Sequence, residues 1–489
     1  MTSFPSLASG DAVADADPRL GARGWLILVT LCGATFVVGL DFSIVAVALP
    51  EIGAALGFAN PGDLQWVATA CLLPTASLLL LFGRLSDLVG RRNLFLFGLL
   101  LLAVFSLTAG LAPAPGALVA SRVGQGVAGA MISPTALSLL TAAFPDGPRR
   151  TRALGVNGAL LSLGFVVGTI GGGVVTSALN WRWTMLIMLV IAGAVLVGGV
   201  LVLPRDAGRG PAARLDVPGA VAVSGGLFAL VHGVTVGADA GWGRPATLAA
   251  LAAAAVLLAV FVAVEARHPA PLVPLALLRR RTIALGGLLG LVTFGMCGGV
   301  TLLLSIYMQD VLGYSPLETG FGFLAEGVAA LLAGLVAARI ALRVGTRRTL
   351  TVGLSVQAAG TGAMVLLPAD GHLPLLLATS GAMGFGHVLA VVASVSVMVE
   401  GVAEEERGVV GGLAQLPQFV GAIGTAGLAA VLTARAAALA PGADEVAATL
   451  GGLHAAVAVA SLVCLAGAAL SPALGRGVSP GGGGGSAAG

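Results

Sequence analysis

The stretch GRLSDLVGRR, Gly83 to Arg92, decides how this chain folds. One apolar run (64–83) leads into it, and another (94–112) follows directly after it. A run of about 20 apolar residues is long enough to cross a bilayer as a helix. The stretch is therefore predicted to be a short, positively charged connection between two membrane helices, on the cytoplasmic side where Arg collects.

The composition of the whole chain agrees with a membrane protein. Of 489 residues, 57% are hydrophobic and only 10% are charged, whereas a soluble domain carries about 25% charged residues. The mean hydropathy is +1.02 and the net charge only +3. These values exclude a soluble enzyme, a disordered chain and a nucleic-acid-binding protein. A polytopic helical membrane protein remains.

Fourteen membrane spans are predicted from the apolar runs, with breaks at clusters of Pro, Arg, Asp and Gly. Arg residues concentrate in the even-numbered loops, so both termini are predicted to be cytoplasmic. No cofactor or metal is expected, because the four Cys lie in apolar runs without CxxC spacing. The predicted spans are 24–49, 64–83, 94–112, 117–140, 153–175, 184–203, 217–236, 246–265, 283–304, 321–342, 349–367, 373–397, 408–432 and 452–470.

The stretch at 83–92 resembles the hallmark loop motif of the major facilitator superfamily. Gly83 and Gly90 allow tight turns and close backbone approach. Asp87 is suited to face a helix N-terminus or to pair with an Arg. Arg91 and Arg92 favour a cytoplasmic location for this connection. A plain positively charged loop would need the Arg residues, but neither the two Gly nor the Asp at these spacings.

Arg122 lies inside predicted span four, in LVASRVGQGVAGA, Leu118 to Ala130. This segment resembles the fourth-helix motif of the same superfamily, with Gln125 and Gly126 also at matching positions. The resemblance implies a role for Arg122 in proton transfer. The alternative is that Arg122 extends to the outer interface. Gln125 argues for the functional role, since it lies one turn further on the same helix face.

Asp41 is the first acid inside a predicted span, in LDFSIVAVALPEI, Leu40 to Ile52. The segment resembles the first-helix motif of the fourteen-span drug:proton antiporters, with Ser43 in place of the usual Thr. Burial disfavours the charged form of a carboxyl, which suits a residue that loads and releases protons. Asp41 and Arg122 are predicted to act as the proton-coupling pair. The alternative is an Asp that only hydrogen-bonds to a neighbouring helix.

Glycines mark predicted span five at the spacing of the antiporter motif of proton-coupled drug exporters, which they resemble. Thr169 stands where that motif has Pro, so a softer kink is expected. The glycines are predicted to let the helix pack closely on a neighbour. Packing without any role in antiport is the alternative. The residues are Gly155, Gly164, Gly168, Gly172 and Gly173.

Glu326 lies near the start of predicted span ten. A Glu without a partner inside a span is costly and indicates function. Two roles are open, a second protonation site or a contact for a cationic substrate. If the span begins later, Glu326 lies instead at the outer interface.

The resemblance to the fourteen-span antiporters covers 25 to about 470 and implies an all-α major facilitator fold of two six-helix bundles. It implies a cytoplasmic tail (1–23), a first bundle (24–203), a linker with two extra spans (204–282), a second bundle (283–470) and a flexible tail (471–489).

The function implied is proton-coupled efflux of small amphipathic or cationic compounds, such as antibiotics, across the cytoplasmic membrane. The partners expected are the substrate, protons and the lipid bilayer, and the protein is expected to be a monomer. One alternative is a dedicated exporter of a self-made natural product. Proton-coupled import and a non-transporting membrane sensor are weaker alternatives. An enzyme is not expected, since neither a Ser, His and Asp constellation nor a phosphate-binding loop is found.

Overall fold

The structure is a computed structural model of the chain. It describes residues 21–58, 64, 66–144, 147–205, 216–269, 271–403, 406–440 and 444–474. Within these ranges the regular elements are helices, and no strand occurs. The two predicted tails lie almost wholly outside the described residues.

Fourteen helices in the described ranges are long and apolar enough to cross a membrane, which confirms the predicted number. A helix satisfies its own backbone hydrogen bonds, which hydrocarbon requires. We number them as spans 1 to 14. The first eight are Ala22–Leu56, Trp66–Val89, Arg91–Gly110, Pro115–Ala143, Pro148–Ala178, Arg182–Val202, Val217–Ala240 and Pro245–Glu265.

Three of the last six spans contain an interruption. Span 9 ends in a π-helical turn, and spans 10 and 13 are each split by one residue, Phe323 and Gly421. A short helix, Leu275–Arg279, precedes span 9. The helices are Arg281–Ile306 with Tyr307–Val311 (span 9), Pro316–Gly322 with Leu324–Val344 (10), Thr346–Ala363 (11), Leu373–Val399 (12), Arg407–Val420 with Ala422–Leu439 (13) and Glu445–Leu470 (14).

The connection between spans 2 and 3 is shorter than the sequence predicts. Span 2 was predicted to end at Gly83, but its helix continues to Val89 and span 3 begins at Arg91. Most of GRLSDLVGRR is therefore helical. The chain reverses at Gly90 alone, whose φ of 100° is readily adopted only by glycine.

The spans form two six-helix bundles with two further helices beside them. In the first bundle, span 1 packs on spans 5 and 6, and span 4 packs on spans 2 and 3. In the second, span 12 packs on spans 9, 10 and 11, and span 14 packs on spans 11 and 13. Span 10 meets span 5 and span 13 meets spans 2 and 4, so these contacts join the bundles. Spans 7 and 8 pair with each other, and span 7 contacts spans 2 and 13.

Three Arg side chains bind the carbonyl groups left free at helix ends. Arg182 donates to Gly110 and Ala112 at the end of span 3, with N–O distances of 3.0 and 2.8 Å. Arg150 donates to the carbonyls of Thr141 and Phe144 at the end of span 4. Arg92 does the same for Val200 and Leu203 at the end of span 6. These contacts satisfy acceptors that the helices cannot satisfy themselves.

Candidate functional site

Asp41 of span 1 and Arg122 of span 4 form an ion pair inside the first bundle. Both terminal nitrogens of the guanidinium donate to the carboxylate, one to each oxygen, and the Nη2–Oδ2 distance is 3.2 Å. The Arg122 side chain is 3% exposed and that of Asp41 is 16% exposed. Arg122 therefore does not extend to the interface. Of the two charges, the carboxylate is the more accessible.

Further hydrogen bonds fix the guanidinium of Arg122. Its Nε donates to the carbonyl of Val67 on span 2 at 2.8 Å, and Nη1 donates to Oε1 of Gln125 at 2.9 Å. Gln125 in turn donates to the hydroxyl of Ser106 on span 3 at 2.9 Å. The cation thus has partners on spans 1, 2 and 4. Loss of Asp41's charge would leave it hydrogen-bonded but without a counter-ion.

Spans 2 and 4 approach closely beside this pair. A Cβ at Gly126 would overlap the carbonyl oxygen of Cys71, so only glycine fits there. Thr75 donates to the carbonyls of Cys71 and Gly126, at 2.7 and 3.0 Å. The thiol of Cys71 lies 3.3 Å from Oδ2 of Asp41. Cys71 of span 2 thus offers a weak donor to the carboxylate on span 1.

Asp87 makes both of the contacts that the sequence left open. Its Oδ1 accepts from Nε and Nη2 of Arg91, at 3.1 and 3.0 Å, and from the backbone N–H of Gly408 at 3.1 Å. Gly408 lies in the first turn of span 13, where a carboxylate is favoured. A Cβ at Gly83 would lie 2.8 Å from the carbonyl oxygen of Gly408. The motif therefore connects the two bundles where span 2 ends and span 13 begins.

The glycines of span 5 face two different neighbours. Gly164, Gly168 and Gly172 lie against the backbone of span 1, at Phe36, Leu40 and Ile44. A Cβ at Gly155 would instead lie 2.6 Å from the carbonyl oxygen of Gly334 on span 10, in the second bundle. Gly173 is half-buried.

Thr169 fills the place of the motif's proline without breaking span 5. Its hydroxyl donates to the carbonyl of Phe165 at 3.0 Å, and the helix continues to Ala178.

Glu326 lies inside the second bundle, in the first turn of the second segment of span 10, and not at an interface. It is 9% exposed. Its Oε1 is 3.4 Å from the hydroxyl of Thr301 and 4.0 Å from the thiol of Cys297, both on span 9. Its Oε2 has no hydrogen-bond partner among the described residues. The structure therefore does not bring Glu326 together with Asp41 and Arg122.

A cavity lies between the two bundles, near the middle of the spans. Its polar lining is uncharged: Thr35, Asn157, Gln415 and Gln418. Thr35 donates to Oδ1 of Asn157 at 2.7 Å, which leaves the amide nitrogen of Asn157 for other acceptors. Phe294 and the valines of span 12 form the apolar wall. The cavity measures only about 30 Å³, which is room for a water molecule or two, so a larger molecule enters only when the bundles move apart.

The sequence analysis did not single out the cavity's amide residues, nor the two side chains beside the ion pair, Ser106 and Cys71. Asn157, Gln415 and Gln418 are polar side chains inside predicted spans, and that signal was available. Ser106 and Cys71 gave no signal, because a single Ser or Cys is common in such helices.

Two bundles of membrane helices around a central cavity, with an ion pair buried inside one bundle, define a membrane transporter and not an enzyme. Residues 31–425 match the Major Facilitator Superfamily, and the chain belongs to that family.

Curated relatives match nearly the whole chain. A cephamycin export protein of Amycolatopsis lactamdurans is 36% identical over 459 residues, covering 93% of this chain and 94% of the relative. A puromycin resistance protein of Streptomyces alboniger is 37% identical over 439 residues, covering 88% and 86%.

The crystal structure of a human organic anion transporter, TETRAN, matches with a TM-score of 0.66. The match covers 92% of this chain and 100% of that one, at 19% identity. At that identity the likeness concerns the fold alone.

Proposed function

We propose that this protein exports small amphipathic or cationic compounds, antibiotics among them, in exchange for protons. The observation that carries the proposal is the pair of Asp41 and Arg122 in the first bundle. An acid at this depth is costly to hold as an unpaired charge, so it is neutral when protonated or paired with Arg122. Exchange between these two states is what proton coupling requires.

The relatives support export as the direction of transport. Their names describe cephamycin export, resistance to puromycin and resistance to lincomycin. Each name concerns a single compound, so a dedicated exporter of one compound, such as a self-made product, is the second candidate. A resistance panel with these three compounds and unrelated cationic dyes separates the two candidates. Resistance to a single compound favours the dedicated exporter.

In the proposed cycle a proton reaches Asp41 through its exposed edge, and the ion pair with Arg122 opens. Arg122 keeps its bonds to Val67 and Gln125, so it remains in place. The two bundles, proposed as 24–203 and 283–470, then rock about the cavity between them. The contact of Asp87 with Gly408 must break when the bundles separate at that end.

Coupling to protons is tested by transport in membrane vesicles. Moving one charge across about 100 mV is worth roughly 2.3 kcal/mol, so one or two protons drive a large gradient. We expect an uncoupler to stop puromycin export and ATP depletion to leave it running while respiration maintains the gradient. Export that persists in uncoupled vesicles supplied with ATP would contradict the proposal.

We propose a location in the cytoplasmic membrane with both termini on the cytoplasmic side, and a monomer as the transporting unit. The Arg-rich end that carries Gly90 then faces the cytoplasm. A reporter inserted in 241–244, between spans 7 and 8, is expected to report the outside. Insertion after Gly345, between spans 10 and 11, serves as the matched control and is expected to report the inside. The same signal from both positions would contradict this topology.

Glu326 is proposed to hold a proton until a cationic substrate replaces it. No basic side chain pairs with it among the described residues, and Oε2 has no partner. Glu326→Gln is expected to weaken export of cationic compounds about tenfold, because a hydrogen bond to a charged group is worth about 1.5–3 kcal/mol. Export of neutral compounds is expected to change less than about twofold. An equal loss for both classes, measured as resistance at matched protein levels, would instead make it a proton site.

A further inference from the structure

His387 of span 12 belongs to a hydrogen-bonded chain in the second bundle. Its Nδ1 lies 3.0 Å from the hydroxyl oxygen of Thr293 on span 9. The same hydroxyl is 2.6 Å from Oε1 of Gln357 on span 11. The amide nitrogen of Gln357 returns to the carbonyl of Thr293 at 3.0 Å. Thr293 and Gln357 are fully buried, so this chain is a fixed part of the bundle.

These hydrogen bonds determine which nitrogen of His387 carries the proton. The amide of Gln357 has a defined orientation, because the atom facing the carbonyl of Thr293 must be the donor nitrogen. Its Oε1 can only accept, so the single hydroxyl proton of Thr293 points to it. The oxygen of Thr293 must then accept from His387. The proton of the neutral imidazole therefore lies on Nδ1, and Nε2 keeps a free lone pair.

His387 lies next to residues that line the central cavity. His387, Val391 and Val395 follow one another at four-residue intervals on one face of span 12, and both valines line the cavity. Phe294, another lining residue, meets the His387 ring edge to face at 5.1 Å. His387 is half-buried. Its Nε2 has no hydrogen-bond partner within the part of the chain that the structure describes.

We propose that His387 is a specificity-determining residue whose Nε2 accepts a hydrogen bond from a hydroxyl or N–H group of the substrate. The substrate class is an amphipathic compound that places such a donor beside an apolar face, which packs on Phe294. Thr293 and Gln357 are positioning residues, because they act through the imidazole. This inference rests on the proposed export function and adds a rule for which compounds are recognised.

Two substitutions separate the nitrogens of the ring. His387→Asn keeps a donor near the Nδ1 position for Thr293 and removes the acceptor. His387→Gln places an amide oxygen near the Nε2 position and loses the donor to Thr293. The probes are puromycin and lincomycin, each beside derivatives with one hydroxyl O-methylated, bound to purified protein. The control is His372→Asn at the exposed cap of span 12.

In the wild type, one O-methyl derivative of a probe is expected to bind about fivefold more weakly than its parent, the effect of one neutral hydrogen bond. His387→Asn is expected to remove this difference, and His387→Gln and His372→Asn to keep it. An equal preference in His387→Asn and the wild type overturns the inference. Failure of either probe to bind or to be exported by the wild type would count against the proposed function instead.

The tautomer itself is tested without a substrate. Nitrogen NMR of histidine-labelled protein, wild type against His387→Asn, isolates the signals of this ring from the other four histidines. We expect a protonated Nδ1 and an unprotonated Nε2. Thr293→Val is expected to move the proton or mix the two forms. A ring protonated at Nε2 in the wild type overturns the inference.

Discussion

Asp41→Asn is expected to abolish proton-coupled export of every substrate while leaving the protein folded and inserted. The amide keeps the shape of the carboxyl and one acceptor for Arg122, but it cannot bind and release a proton. At about 100 mV each proton contributes roughly 2.3 kcal/mol, so accumulation against a gradient is expected to fall about 40-fold per coupled proton. Downhill exchange of substrate is expected to survive, because the cavity is unchanged.

The decisive measurement is substrate-induced proton release from purified protein in detergent. Wild type is expected to release protons when a neutral substrate binds, which does not replace the proton of Glu326, and Asp41→Asn is not. Asp370→Asn, at an exposed loop acid, is the matched control and is expected to behave as wild type. Equal release from Asp41→Asn and the wild type would remove Asp41 from the mechanism and leave Glu326 as the better candidate.

Arg122→Lys is a companion test of the same pair. Lysine keeps the charge but is a compact ammonium without the planar fork of the guanidinium. It cannot bind Asp41 at both oxygens while also donating to Val67 and Gln125. Export is therefore expected to be impaired although the charge is retained. Full activity of Arg122→Lys would show that only the charge matters.

Gly164→Ala is expected to destabilise the protein by about 1–3 kcal/mol or more, the range for overpacking a buried site. The added methyl would overlap the carbonyl oxygen of Phe36 and lie 3.0 Å from the backbone nitrogen of Leu40. Both are backbone atoms of span 1, so they cannot rotate away. Spans 1 and 5 must then separate, and span 1 carries Asp41.

The measurement is the thermal unfolding midpoint and the monodisperse fraction of purified protein. Gly193→Ala in span 6 is the matched control, because its Cβ would have no atom within 4 Å. Alanine is favoured over glycine within a helix by roughly 0.5–1 kcal/mol, so this variant is expected to be as stable as wild type or more so. An equal midpoint for Gly164→Ala and the wild type would contradict the packing described here.

Several features could be predicted because they depend on local sequence. Hydrocarbon leaves backbone groups no partner but their own helix, so the apolar runs determine fourteen spans. Asp41 and Arg122 were recognisable as a candidate pair, because a charge inside a span is costly. The helix ends were less predictable: span 2 extends to Val89, since Asp87 and its neighbours are held by contacts with span 13.

The sequence alone determined which segments enter the membrane. It also showed which charged residues lie inside them, where the energetic cost of burial indicates a functional role. What only the tertiary structure decided is the set of contacts that those residues make. Asp41 and Arg122 are 81 positions apart, and Asp87 and Gly408 are 321 apart. The tautomer of His387 depends on one hydroxyl of span 9 and one amide of span 11. The physical reason is that the hydrophobicity of a segment favours its insertion into the membrane but does not distinguish one neighbouring helix from another. Which spans pack together is determined by close contacts such as that of Gly164 with Phe36, and these contacts form only when the helices are packed.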